Sequence, residues 1–166
     1  MRIISGTLKG KRFYPPKNIP ARPTTDFAKE ALFNILSNRL DFSEVKFLDL
    51  FAGTGSLDME MFSRGCTDIT SVDMSKISLG FIKKMSEEVK MPNHKIILGD
   101  AIQFAKNCTQ QFDLIFAGPP YALEVIDEIP NIIFDKKLLN EDGIFILETS
   151  PKHNFTEHPH LLEVRN

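Results

Sequence analysis

Carboxylates at the ends of apolar runs are the first residues in this chain that could do chemistry. The run Val45 to Phe51 carries into Asp49-Leu50-Phe51-Ala52-Gly53-Thr54-Gly55-Ser56. Two glycines one residue apart let the backbone turn sharply and approach a ligand just ahead of a helix. The third glycine of a dinucleotide fingerprint is absent, its place taken by Asp58. Asp49 would repel a pyrophosphate, but it suits the ammonium and sulfonium cations of S-adenosylmethionine. Asp73 ends a second apolar run, 20 residues after Gly53, where an acid can accept from both ribose hydroxyls. Asp100 follows a third run, in Leu98-Gly99-Asp100-Ala101, and is placed to accept from an adenine amino group. Each acid alone also fits a helix cap. Together, at the ends of successive runs, they point to one ligand, with Phe51, Met74 and Ala101 beside them as further expected cofactor contacts.

Such acids converge only if the runs carrying them lie side by side. From residue 45 the pattern alternates: strand at Val45 to Phe51, helix over 57–64, strand at Ile69 to Val72, helix over 75–90, strand at Lys95 to Leu98, helix over 101–107, strand at Phe112 to Phe116, a helical stretch within 122–137, and strand at Ile144 to Leu147. Continuous apolar strands alternating with helices predict an α/β fold, a mostly parallel sheet with helices on both faces. Ligands in such sheets bind beyond the carboxyl ends of the strands, at the topological switch point. Ahead of this unit, Ala28, Ala31, Leu32, Ile35 and Leu36 predict an amphipathic helix over 26–38. Thr24, Thr25 and Asp26 offer its capping oxygens, and Pro23 ends the extended chain before it.

Residues 1–23 read as an appendage, two short strands at Ile3-Ile4 and Lys11-Arg12-Phe13 around a turn from Gly6 to Gly10. The expected division is therefore a basic β-hairpin arm over 1–23 and one catalytic domain over 24–166. Net charge is −2, but residues 1–39 hold eight basic and two acidic residues, against twelve and twenty in the remaining 127. A basic arm on an acidic body suggests that the arm meets a polyanion. With 42% hydrophobic and 25% charged residues the composition is that of a globular protein. No apolar run reaches the roughly 20 residues needed to span a bilayer, and the start of the chain has no apolar signal segment, so the expected location is the cytoplasm. Cys66 and Cys108 are too few for a disulfide framework, and the four histidines are too irregularly spaced for a metal site.

The strand at Phe112 to Phe116 ends in Ala117-Gly118-Pro119-Pro120-Tyr121, and here the pattern becomes specific. The chain resembles the RsmD family of bacterial 16S ribosomal RNA guanine-N2 methyltransferases. The likeness covers nearly its whole length: Arg2-Ile3-Ile4-Ser5-Gly6 with Gly10-Lys11, Arg22-Pro23-Thr24-Thr25-Asp26, Leu48 through Gly55, and Pro119-Pro120-Tyr121. The resemblance implies a Rossmann-like class I methyltransferase that uses S-adenosylmethionine to methylate the exocyclic amine of a guanine in small-subunit RNA. It implies cofactor contacts at Asp49, Gly53, Gly55, Asp73 and Asp100, and base contacts at Pro119, Pro120 and Tyr121. Arg22 and Thr24 would help close over the cofactor, while Arg2, Lys9, Lys11, Arg12 and Lys17 would grip RNA phosphates. The expected partner is ribosomal RNA or the assembling 30S subunit, met by a monomer without membrane or metal.

Two departures from the family pattern carry consequences. The family's corner reads Asp or Asn before Pro-Pro, whereas this chain has Gly118. A guanine amino nitrogen is a poor nucleophile because its lone pair is delocalised. A side-chain oxygen and a backbone carbonyl at this corner normally accept its two N–H groups and aim the lone pair at the methyl group, while the aromatic residue stacks on the flipped-out base. Gly118 keeps the carbonyl but has no side-chain acceptor, and Asp113 is too distant, since five strand residues span about 16 Å. Losing one charge-assisted hydrogen bond costs roughly 1.5–3 kcal/mol, so intact cofactor binding with impaired transfer is expected. The second departure is at the chain's end, where the resemblance leads us to expect the family's final antiparallel hairpin to be truncated at Asn166, which would leave a sheet edge open. Two alternatives stand beside the leading reading: a relic that binds cofactor and RNA without transfer, and a methyltransferase for another base amine or a protein glutamine.

Overall fold

A computed structural model describes residues 1–22 and 24–166; the end of the extended chain expected at Pro23 lies outside them. Thr25 opens the first helix, α1 (Asp26–Ser37), its hydroxyl accepting from the Ala28 amide at 3.1 Å. The strands and helices then alternate as β1 (Lys46–Leu50), α2 (Ser56–Ser63), β2 (Asp68–Asp73), α3 (Lys76–Glu88), β3 (Lys95–Leu98), α4 (Ala101–Asn107), β4 (Phe112–Ala117), α5 (Ile129–Asp135) and β5 (Leu139–Leu147). Most boundaries fall within two residues of those expected. The last two elements do not.

Proline explains the first difference. The helical stretch expected within 122–137 is a single 3-10 turn, Ile126–Glu128, followed by the short α5, because Pro130 is tolerated only in a helix's first turn. The last strand starts at Leu139, five residues before the expected Ile144. The polar stretch Asn140-Glu141-Asp142-Gly143, outside the expected strand, is taken into it through a register shift between Phe112 and Leu114, with Asp142 at φ 61°.

The five strands lie in the order β3-β2-β1-β4-β5, every neighbouring pair parallel. Connections run outward from β1 to β3 and then return to β4 on the other side, so the switch point falls between β1 and β4. Alternating β1 residues feed two cores. Phe47 joins Phe33, Leu36, Leu57 and Met61 on one face. Leu48 and Leu50 join Ala101, Ile102, Ala105, Ile129 and Ile133 on the other. Helices thus cover both faces, as the unbroken apolar strands require.

A third cluster seats the N-terminal segment. Ile3 and Phe13 are buried against Met59, Leu79, Ile82 and Met85 of α2 and α3. The segment doubles back through one antiparallel bridge, Arg2 with Arg12, and the Ile3 amide donates to the Lys11 carbonyl at 2.9 Å. Gly6 is required at its bend: φ is 86°, and a Cβ there would fall 1.8 Å from the Ser63 carbonyl oxygen. Beneath it lies a buried ionic knot. The Glu60 carboxylate accepts from the Ile4 and Ser5 amides at 2.9 and 3.1 Å and from Arg64 Nε at 2.9 Å, and it pairs with Lys29 Nζ at 3.4 Å. Lys29 also donates to the Arg2 carbonyl at 2.6 Å and Ser56 Oγ at 3.1 Å. No helix of the described residues is long and apolar enough to cross a membrane.

Candidate active site

Beyond the carboxyl ends of the strands lies a cleft of about 730 Å³. Its lining brings together Arg22, Thr24, Asp49, Phe51, Gly53, Asp73, Met74, Asp100 and Ala101 with Gly118, Pro119, Pro120 and Tyr121. Of the expected cofactor and base positions only Gly55 is outside the lining. Its role is in packing: at φ 73° it begins α2, and a Cβ there would sit 2.7 Å from Ile82 Cγ1.

The loop after β1 is built for close approach. Phe51 is held at φ 64°, a strained left-handed conformation for a residue with a side chain. Gly53, at φ 57°, leaves no room for a Cβ, which would lie 2.9 Å from Ala21 Cβ in the strap formed by residues 20–22. The Gly53 amide donates to Asp73 Oδ2 at 2.8 Å, and the Ser75 amide donates to Asp73 Oδ1 at 2.8 Å. Both oxygens of Asp73 are thereby aimed by backbone. Asp100 caps α4, accepting from the Gln103 amide through Oδ1 at 2.9 Å, so the cap and the cleft position coexist in one residue.

Asp49 is buried at the cleft floor, and under it lies a residue whose role the sequence does not disclose. Asp58, fully buried on α2, has a carboxyl within hydrogen-bonding reach of Asp49. Its Oδ2 accepts from Ser71 Oγ at 2.7 Å, whereas Oδ1 is buried with no donor among the described residues. Burial first, then the Asp58 charge, holds the Asp49 carboxyl well above the usual carboxylate range, and Asp73 adds to the effect. Burial pushes Asp58 up to about 7. Ser71 also hydrogen-bonds His94 Nε2 at 2.7 Å, and burial lowers the His94 ring to about 4.

At the far side of the cleft, Pro119 is buried beside half-buried Gly118, and Tyr121 is exposed. The Arg22 guanidinium lies 4.1 Å from the Tyr121 ring centroid, hydrogen-bonds the tyrosine hydroxyl, and pairs with Glu148 Oε1 at 3.0 Å. Arg22 therefore meets the Pro-Pro-Tyr corner. Glu148, also in the lining, is the second residue that the sequence reasoning missed. The signal was present: Glu148 directly follows Leu147 of β5, an acid at a strand end like Asp49, Asp73 and Asp100.

The basic segment is only partly free. Arg2 pairs with Asp26 at 3.2 Å and Lys11 with Glu88 at 2.7 Å. Lys9, Arg12 and Lys17 are exposed and without an ion pair among the described residues. Among those residues no group of three His, Cys, Asp or Glu could hold a metal ion. Strand-end acids facing a cleft of this size fit a cation that also carries a diol and an amine, the donor set expected for S-adenosylmethionine.

Known proteins are similar to this chain in sequence and fold. The family described as conserved hypothetical protein 95 matches residues 1–166. A protein named ribosomal RNA small subunit methyltransferase D, from Buchnera aphidicola subsp. Acyrthosiphon pisum, is 33% identical over 154 residues, covering 92% of this chain and 79% of its own length. The solved structure of the putative methyltransferase yhhF from Escherichia coli superposes with TM-score 0.81 at 27% identity, over 93% of this chain and 84% of that one. The fold is also that of SMU.776, a putative methyltransferase complexed with SAH, at 23% identity and TM-score 0.54 over 68% of this chain and 34% of that one.

Proposed function

The chain belongs to the conserved hypothetical protein 95 family together with proteins named ribosomal RNA small subunit methyltransferase D, and on that premise we propose that it transfers a methyl group from S-adenosylmethionine to the exocyclic N2 amine of a guanine in small-subunit ribosomal RNA. One observation carries the reading: a single cleft unites the strand-end acids Asp49, Asp73 and Asp100 with the Gly118-Pro119-Pro120-Tyr121 corner. Asp49 would face the donor's ammonium, Asp73 its ribose hydroxyls and Asp100 its adenine amine. When bound, the donor supplies an electrophilic methyl group with its own leaving group. What remains for the protein is to hold the base amine in line and accept its N–H groups. Tyr121 offers an aromatic face to a flipped-out base, Pro119 and Pro120 fix the ledge, and no described donor occupies the Gly118 carbonyl. Lys9, Arg12 and Lys17 would carry most of the grip on RNA phosphates, with Arg2 and Lys11 less available because acids already neutralise them.

The test offers labelled S-adenosylmethionine with 30S particles, free 16S RNA or a protein fraction. We expect label at guanine N2 of the small-subunit RNA. Label in the protein fraction, at another base, or nowhere sinks the reading. The lack of a side chain at Gly118 favours a second reading, a protein that holds donor and RNA but transfers slowly.

A further inference from the structure

The space beside Gly118 is not without an acceptor. A Cβ on Gly118 would lie 3.0 Å from Phe116 Cε1 and 3.8 Å from Glu148 Oε2. The carboxylate of Glu148 thus stands next to the spot where, by the resemblance, the family's Asp or Asn would carry its side-chain oxygen. Its backbone explains the placement, because the Glu148 amide donates to the Ala117 carbonyl at 2.9 Å and continues the β4–β5 pairing one residue past Leu147. Arg22 holds Oε1 at 3.0 Å, while Oε2 has no hydrogen-bond partner among the described residues. The side chain is 41% exposed and lines the cleft.

We propose that Glu148 is the catalytic acceptor that Gly118 cannot be, its Oε2 taking one N–H of the substrate amine while the Gly118 carbonyl takes the other. This rests on the methyl-transfer reading above. In the transfer, the amine lone pair forms the new N–C bond, and the S–C bond of the sulfonium donor breaks with its electron pair staying on sulfur. The nitrogen then carries one proton too many, which passes to Glu148 Oε2 and on to solvent. Arg22, clamped on Oε1, is a positioning residue that fixes which oxygen faces the amine. Glycine at 118 then has a reason: with Glu148 in place, a second carboxylate would compete for the same site and repel it.

The experiment compares single-turnover transfer to small-subunit RNA by wild type, Glu148→Gln, Glu148→Ala, Gly118→Asp and the Gly118→Asp/Glu148→Ala double variant. Calorimetric affinity for S-adenosylhomocysteine and RNA affinity are measured on each. We expect Glu148→Ala to slow transfer about 10- to 150-fold while both affinities stay within about twofold, and Glu148→Gln to lose less. Gly118→Asp alone should bring no gain. In the double variant the new aspartate, once the Phe116 ring gives by a few tenths of an ångström, should recover most of the lost rate, which a merely structural role for Glu148 would not allow. Transfer by Glu148→Ala within about twofold of wild type overturns the assignment while leaving the enzyme reading intact. So does a loss no larger than the accompanying loss of S-adenosylhomocysteine affinity. A wild type that binds donor and RNA yet methylates no base amine overturns the reading and the assignment together, so the two failures are distinguishable.

Discussion

Asp58 sits where a nucleotide-loop sequence has its third glycine, and it loads the floor of the cleft with a second acid. Asp49 and Asp58 titrate as a pair, faced by Ser71 and Asp73 from β2 and, through Ser71, by His94 ahead of β3. Both carboxyls are raised, so the pair holds at least one proton near neutrality, and the unpartnered Oδ1 of Asp58 is where such a proton would bridge to Asp49. A cationic donor favours the ionised pair. Its affinity should therefore rise with pH up to and through about 7, with proton release on binding that calorimetry detects as a buffer-dependent heat. Asp58→Asn, which can donate to Asp49 and still accept from Ser71, should flatten that rise and tighten binding below pH 7. An affinity equally pH-dependent in wild type and variant rules out the shared proton. Stability runs the other way. Carboxyls raised on folding contribute stability that is full below their unfolded value near 3.8 and is lost as pH climbs to about 7. His94, lowered from 6.5 to about 4, contributes stability present above 6.5 and lost as pH falls toward 4. The two slopes oppose each other, and Asp58→Asn should unmask the acid sensitivity of His94 in melting curves.

Among the elements, the N-terminal segment depends on one buried side chain. Glu60 takes two amides of the segment and the charge of Lys29 at once, so Glu60→Ala strands a buried ammonium and frees the bend. We expect a loss of about 3–5 kcal/mol and trypsin cleavage at Lys9, Lys11 or Arg12 before global unfolding. Cleavage no faster than in wild type would mean that Ile3 and Phe13 anchor the segment alone. This knot was not legible in the sequence. Lys29 lies on an amphipathic helix whose charged residues read as solvent-facing, and Glu60 is 55 positions or more from its amide partners. The sheet was legible, because five apolar runs alternate with helical periodicity, and so was the position of Asp49, Asp73 and Asp100 at strand ends facing one cleft, because strand ends can be placed from those runs. Where a local signal misled, tertiary pairing had decided: the polar run before Ile144 joins β5 through a register shift; Pro130, by contrast, is a local signal that sets where α5 can begin. Glu148 was within reach of the rule that found the other acids, had it been applied to the fifth strand.

On the scale of the whole molecule, charge is divided between a basic N-terminal part and an acidic body. If RNA meets the basic part, the logarithm of affinity should fall linearly with the logarithm of salt. Neutralising Lys9, Arg12 and Lys17 together should reduce the steepness by about 2, whereas neutralising Arg2 and Lys11 should matter less, since Asp26 and Glu88 already counter them. A steepness unaffected by the triple change would remove this segment from RNA binding. The strap at 20–22 gives the division a further meaning. It presses on the nucleotide loop so closely that Gly53 cannot carry even a methyl group, and it is also the stretch of chain leading from the basic segment toward α1. If ribosomal RNA holds the basic segment while the cleft holds the methyl donor, a pull passed along the strap would link the two, and each partner would then alter the other's grip by an identical factor; donor release rates equal with and without RNA would show the strap to be passive.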